Sequence, residues 1–175
     1  MNPPPISKTM EANFKHGHKY ESIARTEYTK LMKEKLKREV IVRATGTVVQ
    51  PNLYWLAASP DGMVSDPNDP NVLGLLEIKC PISKRDILPA DLVKDEKFYV
   101  RMDGSTPYLN KKHAYYTQIQ MAMGLSGVKF CDFVVYTFKG MIIIRVPFDS
   151  DQFWKIVNKL SVFYKEYLMP SYLEI

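Results

Sequence analysis

Cysteine is scarce in this sequence. The chain has two cysteines, Cys80 and Cys131, and they do not form a closely spaced C-x-x-C pair. A disulfide scaffold and a zinc knuckle are therefore excluded, because both need several suitably spaced thiols. Reduced cysteines near the core are the simpler interpretation.

Long apolar runs are also missing. A membrane helix needs about 20 apolar residues, whereas the apolar run MIIIRV has only the length of a strand. The first residues, MNPPPISK, lack the apolar core of a signal peptide. We therefore expect an intracellular protein, in the nucleus if the source is eukaryotic and otherwise in the cytoplasm.

The 175 residues are 46% hydrophobic and 25% charged, which is typical of one globular domain. We expect an extended arm over residues 1–8 and a single domain over residues 9–175. The formal charge of +5 permits a polyanionic partner such as DNA without requiring one. The basic runs at residues 30–38 and 110–113 are equally typical of solvated helix faces.

Hydrophobic periodicity predicts a mixed α/β (α+β) domain, with a central mixed sheet of about five strands flanked by helices. A hairpin should join the first two strands, and an Asp-Gly turn predicts a second, small hairpin within residues 97–110. The predicted order is a helix over residues 9–37, strands over 39–50, 51–59 and 72–79, a loop-rich segment over 82–110, a helix over 111–126, two strands around residues 139–140, and a helix from residue 150 to about 167.

The strand over residues 72–79 ends on opposite charges. Residues two apart in a strand point to the same side, so Leu75, Glu77 and Lys79 should share one face. An ion pair at the surface would explain Glu77 and Lys79 simply. The apolar residues before them instead predict a central strand, where burying charges is costly unless they are paired or bind a metal.

Asp61 offers a reason for these charges. It follows Pro60 at the end of the strand predicted over residues 51–59, and it approaches Glu77 if that strand lies beside residues 72–79. Two close carboxylates repel unless a proton or a cation lies between them. Mg²⁺ prefers carboxylate, carbonyl and water oxygens, so the Ile78 carbonyl is a further candidate ligand. Lys79 could then orient a water molecule and offset charge on a phosphoryl oxygen.

The segments SPDG and LLEIKCP together resemble the Asp…Glu-x-Lys core of the PD-(D/E)XK nuclease superfamily. The segment HGHKYESIARTEY resembles the first-helix motif of its YqaJ-like, lambda-exonuclease-type branch. The segment HAYYTQIQMAM resembles that branch's Tyr-Tyr-x-Gln-x-Gln helix, and KFCDFVVYT and FDSDQFW are also similar to it. The resemblance covers about residues 14–170 and implies a restriction-endonuclease-like core.

The resemblance assigns site residues. It implies that Asp61 and Glu77 bind the metal, that Lys79 is catalytic, that Glu21 is an outer ligand, and that Gln118 contacts the metal site or the scissile phosphate. It implies Mg²⁺ as the cofactor, with Mn²⁺ as a substitute. From the residues alone, Glu21 could instead pair with Arg25, and Gln118 could be a hydrogen-bonded core amide. Arg25 and Asp132 are interpreted as structural.

The start of the second long helix is the predicted DNA contact. The candidate residues are His113, Tyr115, Tyr116, Lys111 and Lys112. His113 could also simply begin the helix, and the two tyrosines could serve packing alone. The basic residues would follow the DNA backbone without reading bases.

The resemblance implies a 5′-to-3′ exonuclease on double-stranded DNA, linked to recombination or repair. It also implies a ring-shaped trimer and a single-strand-annealing partner protein. The family's upstream arginine segment, which helps to bind the 5′ phosphate, has no counterpart among the 16 residues before Gly17, so the direction of digestion stays open. A structure-specific endonuclease and a catalytically weak DNA-binding module that keeps the fold are the alternatives.

Overall fold

The computed structural model describes residues 7–173. Its strands are β1 (Ile41–Arg43), β2 (Val48–Val49), β3 (Ala57–Ala58), β4 (Gly62–Asp66), β5 (Asp69–Lys79), β6 (Val100–Asp103), β7 (Thr106–Leu109), β8 (Phe130–Thr137) and β9 (Gly140–Pro147). Its helices are α1 (Lys8–Glu34), α2 (Pro89–Leu92), α3 (Ala114–Ser126), α4 (Ser150–Phe163) and α5 (Met169–Leu173), with a π-helical turn (Tyr164–Leu168) between the last two and 3-10 turns at Pro51–Leu53 and Ile82–Lys84.

Five strands form the central sheet, in the order β1-β4-β5-β8-β9. The β5 and β8 strands pair in parallel and every other neighbouring pair is antiparallel. The predicted mixed sheet of about five strands flanked by helices is confirmed. Most of the predicted arm lies outside the described residues; of its last two, Ser7 caps α1 by accepting a hydrogen bond from the Met10 amide, and Lys8 begins the helix.

The sheet separates two hydrophobic clusters. Leu75 belongs to the cluster that includes Ile119 and Met123 of α3, whereas Leu76 and Ile78 belong to the cluster that includes Tyr28 of α1. Residues 74–78 of β5 are therefore buried on both faces, as the apolar sequence predicts, whereas Leu73 before them is 39% exposed. Alternate β5 side chains face α1 and α3, so the predicted division of this strand into two faces is confirmed.

A buried polar network fastens α1 to the sheet. The Tyr28 hydroxyl donates to Asp132 over 2.6 Å, and Arg145 donates two hydrogen bonds of 2.8 Å to the same carboxylate. Asp132 is 1% exposed. Because a buried charge is stable only when it is paired and hydrogen-bonded, Asp132 ties α1, β8 and β9 together.

The hairpin predicted over residues 39–59 is mostly wrong. Only the two-residue strands β2 and β3 pair, in a sheet of their own, while β1 joins the central sheet. The strand beside β5 is β4, which follows Asp61 and for which no strand was predicted. Its five residues lie between Pro60 and Pro67, and these breakers hide the short alternating pattern.

The end of the chain also differs from the prediction. Helix α4 begins at residue 150 as predicted, and Asp149 caps it by accepting a hydrogen bond from the Gln152 amide. The helical conformation then continues past Tyr167 and across Pro170, because the wider π-helical turn before the proline changes the local hydrogen bonding.

The small hairpin predicted around Gly104 is confirmed as β6 and β7. Within residues 7–173, none of the helices has both the length and the apolar character to cross a bilayer.

Helices α3 and α4 approach each other at a glycine. A Cβ atom placed on Gly124 would lie 2.2 Å from the Phe153 ring, which is itself buried. The Gln50 amide also donates to the carbonyls of Gly124 and Leu125. This part of α3 therefore lacks room for any larger side chain.

We expect Gly124→Ala to destabilise the protein by up to about 2 kcal/mol. Alanine favours a helix by about 1 kcal/mol over glycine, but overpacking Phe153 costs about 1–3 kcal/mol. Urea denaturation of the two proteins measures the difference.

Gly17→Ala is the matched control, since the same substitution in α1 meets no atom within 4 Å. We expect Gly17→Ala to stabilise the protein by about 0.5–1 kcal/mol. Equal effects of the two substitutions would contradict the close packing of α3 against α4.

Candidate active site

The charged end of β5 is largely buried. Glu77 is 3% exposed and faces α3, in the same row as Leu75. Lys79 Nζ donates to Glu77 Oε1 over 2.6 Å, and 18% of the Lys79 side chain is exposed. The interpretation of Glu77 and Lys79 as a surface ion pair is therefore wrong, because the carboxylate lies inside the sheet-helix interface.

Helix α3 supplies the next contacts. Gln118 Nε2 donates to Glu77 Oε1 over 2.6 Å, and its Oε1 accepts from Lys79 Nζ over 3.3 Å. One turn earlier, the Tyr115 ring centroid lies 4.4 Å from Lys79 Nζ, as in a cation–π contact. The ammonium group of Lys79 is thereby held between a carboxylate, an amide and an aromatic ring.

Gln118 is not the core amide that the sequence allowed, because it is exposed apart from these contacts. Gln120 has that role instead. It is 0% exposed, donates to the Pro147 carbonyl and accepts from the Asp149 amide. The two glutamines of α3 therefore differ: Gln118 reaches the charged cluster and Gln120 holds the start of α4.

Asp61 reaches the same cluster from the turn before β4. Its Oδ2 accepts a hydrogen bond of 2.6 Å from the Ile78 amide. The predicted approach of Asp61 to Glu77 is found, but through the pairing of β4 with β5 and not through the strand predicted over residues 51–59.

Glu21 lies on α1 and is close enough to Asp61 for their charges to interact. Its Oε1 accepts a hydrogen bond of 2.7 Å from Arg25, so the pairing that the sequence left open is present. Arg25 also donates to the Asp61 carbonyl over 2.6 Å. Arg25, which was interpreted as structural, thus contacts two acidic residues of the cluster. Its signals in the sequence were the spacing to Glu21 and its place in the first-helix segment HGHKYESIARTEY.

Burial raises the pKa values of the three carboxylates Glu21, Asp61 and Glu77. Burial raises the pKa of Glu77 to about 7, and the Lys79 ammonium limits the rise. Burial also raises the pKa of Asp61, against the hydrogen bond from the Ile78 amide. The pKa of Glu21 is raised by burial and by the charge of Asp61. Each of these carboxylates would be stabilised in its ionised form by an added cation.

The donor set suits a hard divalent cation. Both described hydrogen bonds to Glu77 reach Oε1, and the bond to Asp61 reaches Oδ2, so each carboxylate keeps a second oxygen for a ligand. Within residues 7–173, no three acidic, histidine or cysteine side chains are close enough together to hold a metal. A site here would therefore rely on two carboxylates, the Ile78 carbonyl and water.

A cavity of about 400 Å³ opens beside Lys79. The residues that line it include Phe14, His18, Glu21, Cys80, Tyr99 and Tyr115. The Tyr99 hydroxyl is buried and has no hydrogen-bond partner among the described residues. Cys80 is partly buried and Cys131 is buried, and both are free thiols.

The predicted DNA-contact residues divide into two groups. Tyr115 lines the cavity, and His113 packs on it while capping α3, since His113 Nδ1 accepts from the Tyr115 amide. Tyr116 is 4% exposed and belongs to the core. Lys111 lies over the Tyr116 ring, and Lys112 is exposed. Of the two tyrosines, only Tyr115 therefore faces the charged cluster.

Solved structures similar to this chain include two of one bacterial exonuclease and one of a phage-related exonuclease. The alkaline exonuclease LHK-Exo from Laribacter hongkongensis is 26% identical, with a TM-score of 0.68, and the match covers 97% of this chain and 74% of that one. The complex of LHK-Exo with dAMP gives 27% identity at the same TM-score and coverage. A phage-related exonuclease from Haemophilus somnus 129PT has a TM-score of 0.55 at 15% identity over 98% of this chain and 77% of its own, which shows a shared fold alone.

No curated protein sequence matches this chain significantly. A family model does match: the YqaJ-like viral recombinase domain aligns with residues 2–129, which is most of the chain. This range includes α1, both carboxylates of the β4–β5 region and the α3 glutamines. The chain therefore belongs to the family of YqaJ-like viral recombinase domains.

Proposed function

We propose that this protein is a metal-dependent deoxyribonuclease that hydrolyses phosphodiester bonds. The observation that carries the proposal is the convergence of Asp61, from the turn before β4, with Glu77 and Lys79 at the end of β5. Two carboxylates beside an ammonium group suit a reaction in which a cation is bound and negative charge develops on phosphate.

The relatives support an exonuclease. LHK-Exo is an alkaline exonuclease by name, and its structure with dAMP shows that it binds a deoxynucleoside monophosphate. Together with membership of the recombinase-domain family, this favours digestion of double-stranded DNA in recombination or repair. We propose the 5′-to-3′ direction from the family resemblance.

The proposed cofactor is Mg²⁺, with Mn²⁺ as a substitute. Asp61, Glu77 and the Ile78 carbonyl would hold it, with Glu21 in an outer position. The bound ion would supply an activated water and neutralise charge on the scissile phosphate.

The protein's own groups have separate tasks. Lys79 orients the attacking water and donates a hydrogen bond toward a phosphoryl oxygen, because its partly exposed side chain lines the cavity. Gln118 holds the carboxylate of Glu77 and the ammonium of Lys79 in place. The ring of Tyr115 stabilises the charge of Lys79 and narrows the space around it.

DNA would approach along the start of α3. His113, Tyr115, Lys111 and Lys112 are the proposed contacts, and the buried Tyr116 serves them through packing. We propose that residues 9–175 act as one nuclease domain. A trimer and an annealing partner are proposed from the family resemblance.

We expect Asp61→Asn and Lys79→Ala each to lower cleavage by about 100-fold or more, because each removes a group that binds the metal or stabilises developing charge. The assay follows release of nucleotides from 5′-phosphorylated linear duplex DNA with Mg²⁺. Circular dichroism establishes that each variant is folded.

Asp103→Asn and Lys155→Ala are matched controls, because both residues are exposed and lie outside the site. They should retain full activity. Equal cleavage by wild type, Asp61→Asn and Lys79→Ala would refute the site. Cleavage of closed circular DNA would show an endonuclease in place of the proposed exonuclease. DNA binding without cleavage would favour the alternative of a DNA-binding module that keeps the nuclease fold.

Without metal, we expect stability to fall as pH rises from about 5 to 8. The pKa of Glu77 is raised in the folded state from 4.5 to about 7, so the folded protein favours the protonated carboxyl. The stability that this proton contributes is complete below the unfolded pKa and is lost as pH rises past the folded pKa. The loss is on the order of 3 kcal/mol. Urea denaturation at several pH values measures it.

The control is Glu77→Gln, which has no ionisable group at this position. We expect the free energy of unfolding of this variant to change less with pH. Mn²⁺ should reduce the loss of stability at pH 8 in wild type only. The same slope in both proteins would show that Glu77 is not the group that titrates.

A further inference from the structure

Arg25 joins two acidic residues of the site through one nitrogen atom. Its Nη2 donates to Glu21 Oε1 over 2.7 Å and to the backbone carbonyl of Asp61 over 2.6 Å. The first bond lies within α1, whereas the second reaches a residue 36 positions further along the chain. A helix that needed only an i,i+4 ion pair for its stability would not need the second bond.

The turn that carries Asp61 is held at several points. The Thr45 hydroxyl donates to the Pro60 carbonyl over 2.7 Å, and the Asp61 carboxylate accepts from the Ile78 amide over 2.6 Å. Arg25 of α1 donates to the Asp61 carbonyl over 2.6 Å. The backbone and the carboxylate of Asp61 are thereby fixed by different elements.

The guanidinium group is held in place at an energetic cost. Only 27% of the Arg25 side chain is exposed. Its Nε atom is buried and lacks a hydrogen-bond partner among the described residues. Because an unpaired buried donor is unfavourable, the two bonds from Nη2 must maintain this position. Lysine lacks the rigid fork and would not reproduce the same geometry.

We propose that Arg25 is a positioning residue for the metal site. It holds Asp61 through its main-chain carbonyl, and it holds Glu21 so that this acid stays in an outer position. This inference rests on the proposed function. Groups one step removed from metal ligands commonly change metal affinity by about 10–100-fold when they are substituted.

The test measures Mn²⁺ binding to the full chain by isothermal titration calorimetry, together with the melting temperature of the metal-free protein. We expect Arg25→Met to raise the Kd for Mn²⁺ at least tenfold. The matched control Arg38→Met, at an exposed arginine after α1, should leave the Kd unchanged.

Charge alone predicts the opposite result, because removing a cation near the site should strengthen metal binding. The double variant Glu21→Gln/Arg25→Met removes the ion pair without changing the net charge, and Glu21→Gln alone reports the contribution of that acid. We expect the double variant to bind Mn²⁺ at least tenfold more weakly than Glu21→Gln. If Arg25→Met does not fold, the comparison of the double variant with Glu21→Gln serves as the test.

Two outcomes would overturn the inference: tighter Mn²⁺ binding by Arg25→Met, or equal binding by Glu21→Gln and the double variant. The proposed function fails separately, if wild type binds no Mn²⁺ or if Asp61→Asn binds it as wild type does.

Discussion

The buried carboxylate of Glu77 is the constraint around which the site is built. A charge at 3% exposure within a five-stranded sheet is stable only when nearby groups compensate it. Lys79 and Gln118 both donate to it, from β5 and α3 respectively. The compensation is incomplete, since the pKa of Glu77 is raised to about 7. The fold therefore maintains a carboxylate that a cation would stabilise further.

The parallel pairing of β5 with β8 explains why this carboxylate is buried. Both strands are central in the sheet and are covered by α1 on one face and α3 on the other. Residues 74–78 of β5 are therefore buried, and Lys79 and Cys80 beyond them are partly exposed. Residues on the α3 face meet Gln118 and Tyr115, and the Ile78 amide meets Asp61. The proposed chemistry lies where this strand reaches the edge of the region that the two helices cover.

The sequence predicted the features that depend on one element at a time. The two faces of β5 and the acidic and basic residues at its end follow from a period of two, and the Glu21–Arg25 pair follows from helical spacing. Features that depend on two elements were missed. The strand β4 was hidden by flanking breakers, and the spacing of α3 did not reveal which of Gln118 and Gln120 is buried. The contact of Arg25 with Asp61 joins residues 36 apart, which no local pattern encodes.

Helix α1 links the stability of the fold to the geometry of the site. Its second half is fastened by Tyr28, whose hydroxyl meets the buried Asp132. Arg25 lies three residues earlier on the same rigid helix, where its guanidinium reaches the Asp61 carbonyl. Because Tyr28 and Arg25 belong to one helix, the contact with Asp132 and the contact with Asp61 both hold α1 against the sheet region. An arginine on a mobile loop would lose more conformational freedom in making the same contact, so placing it beside this anchor favours an ordered site.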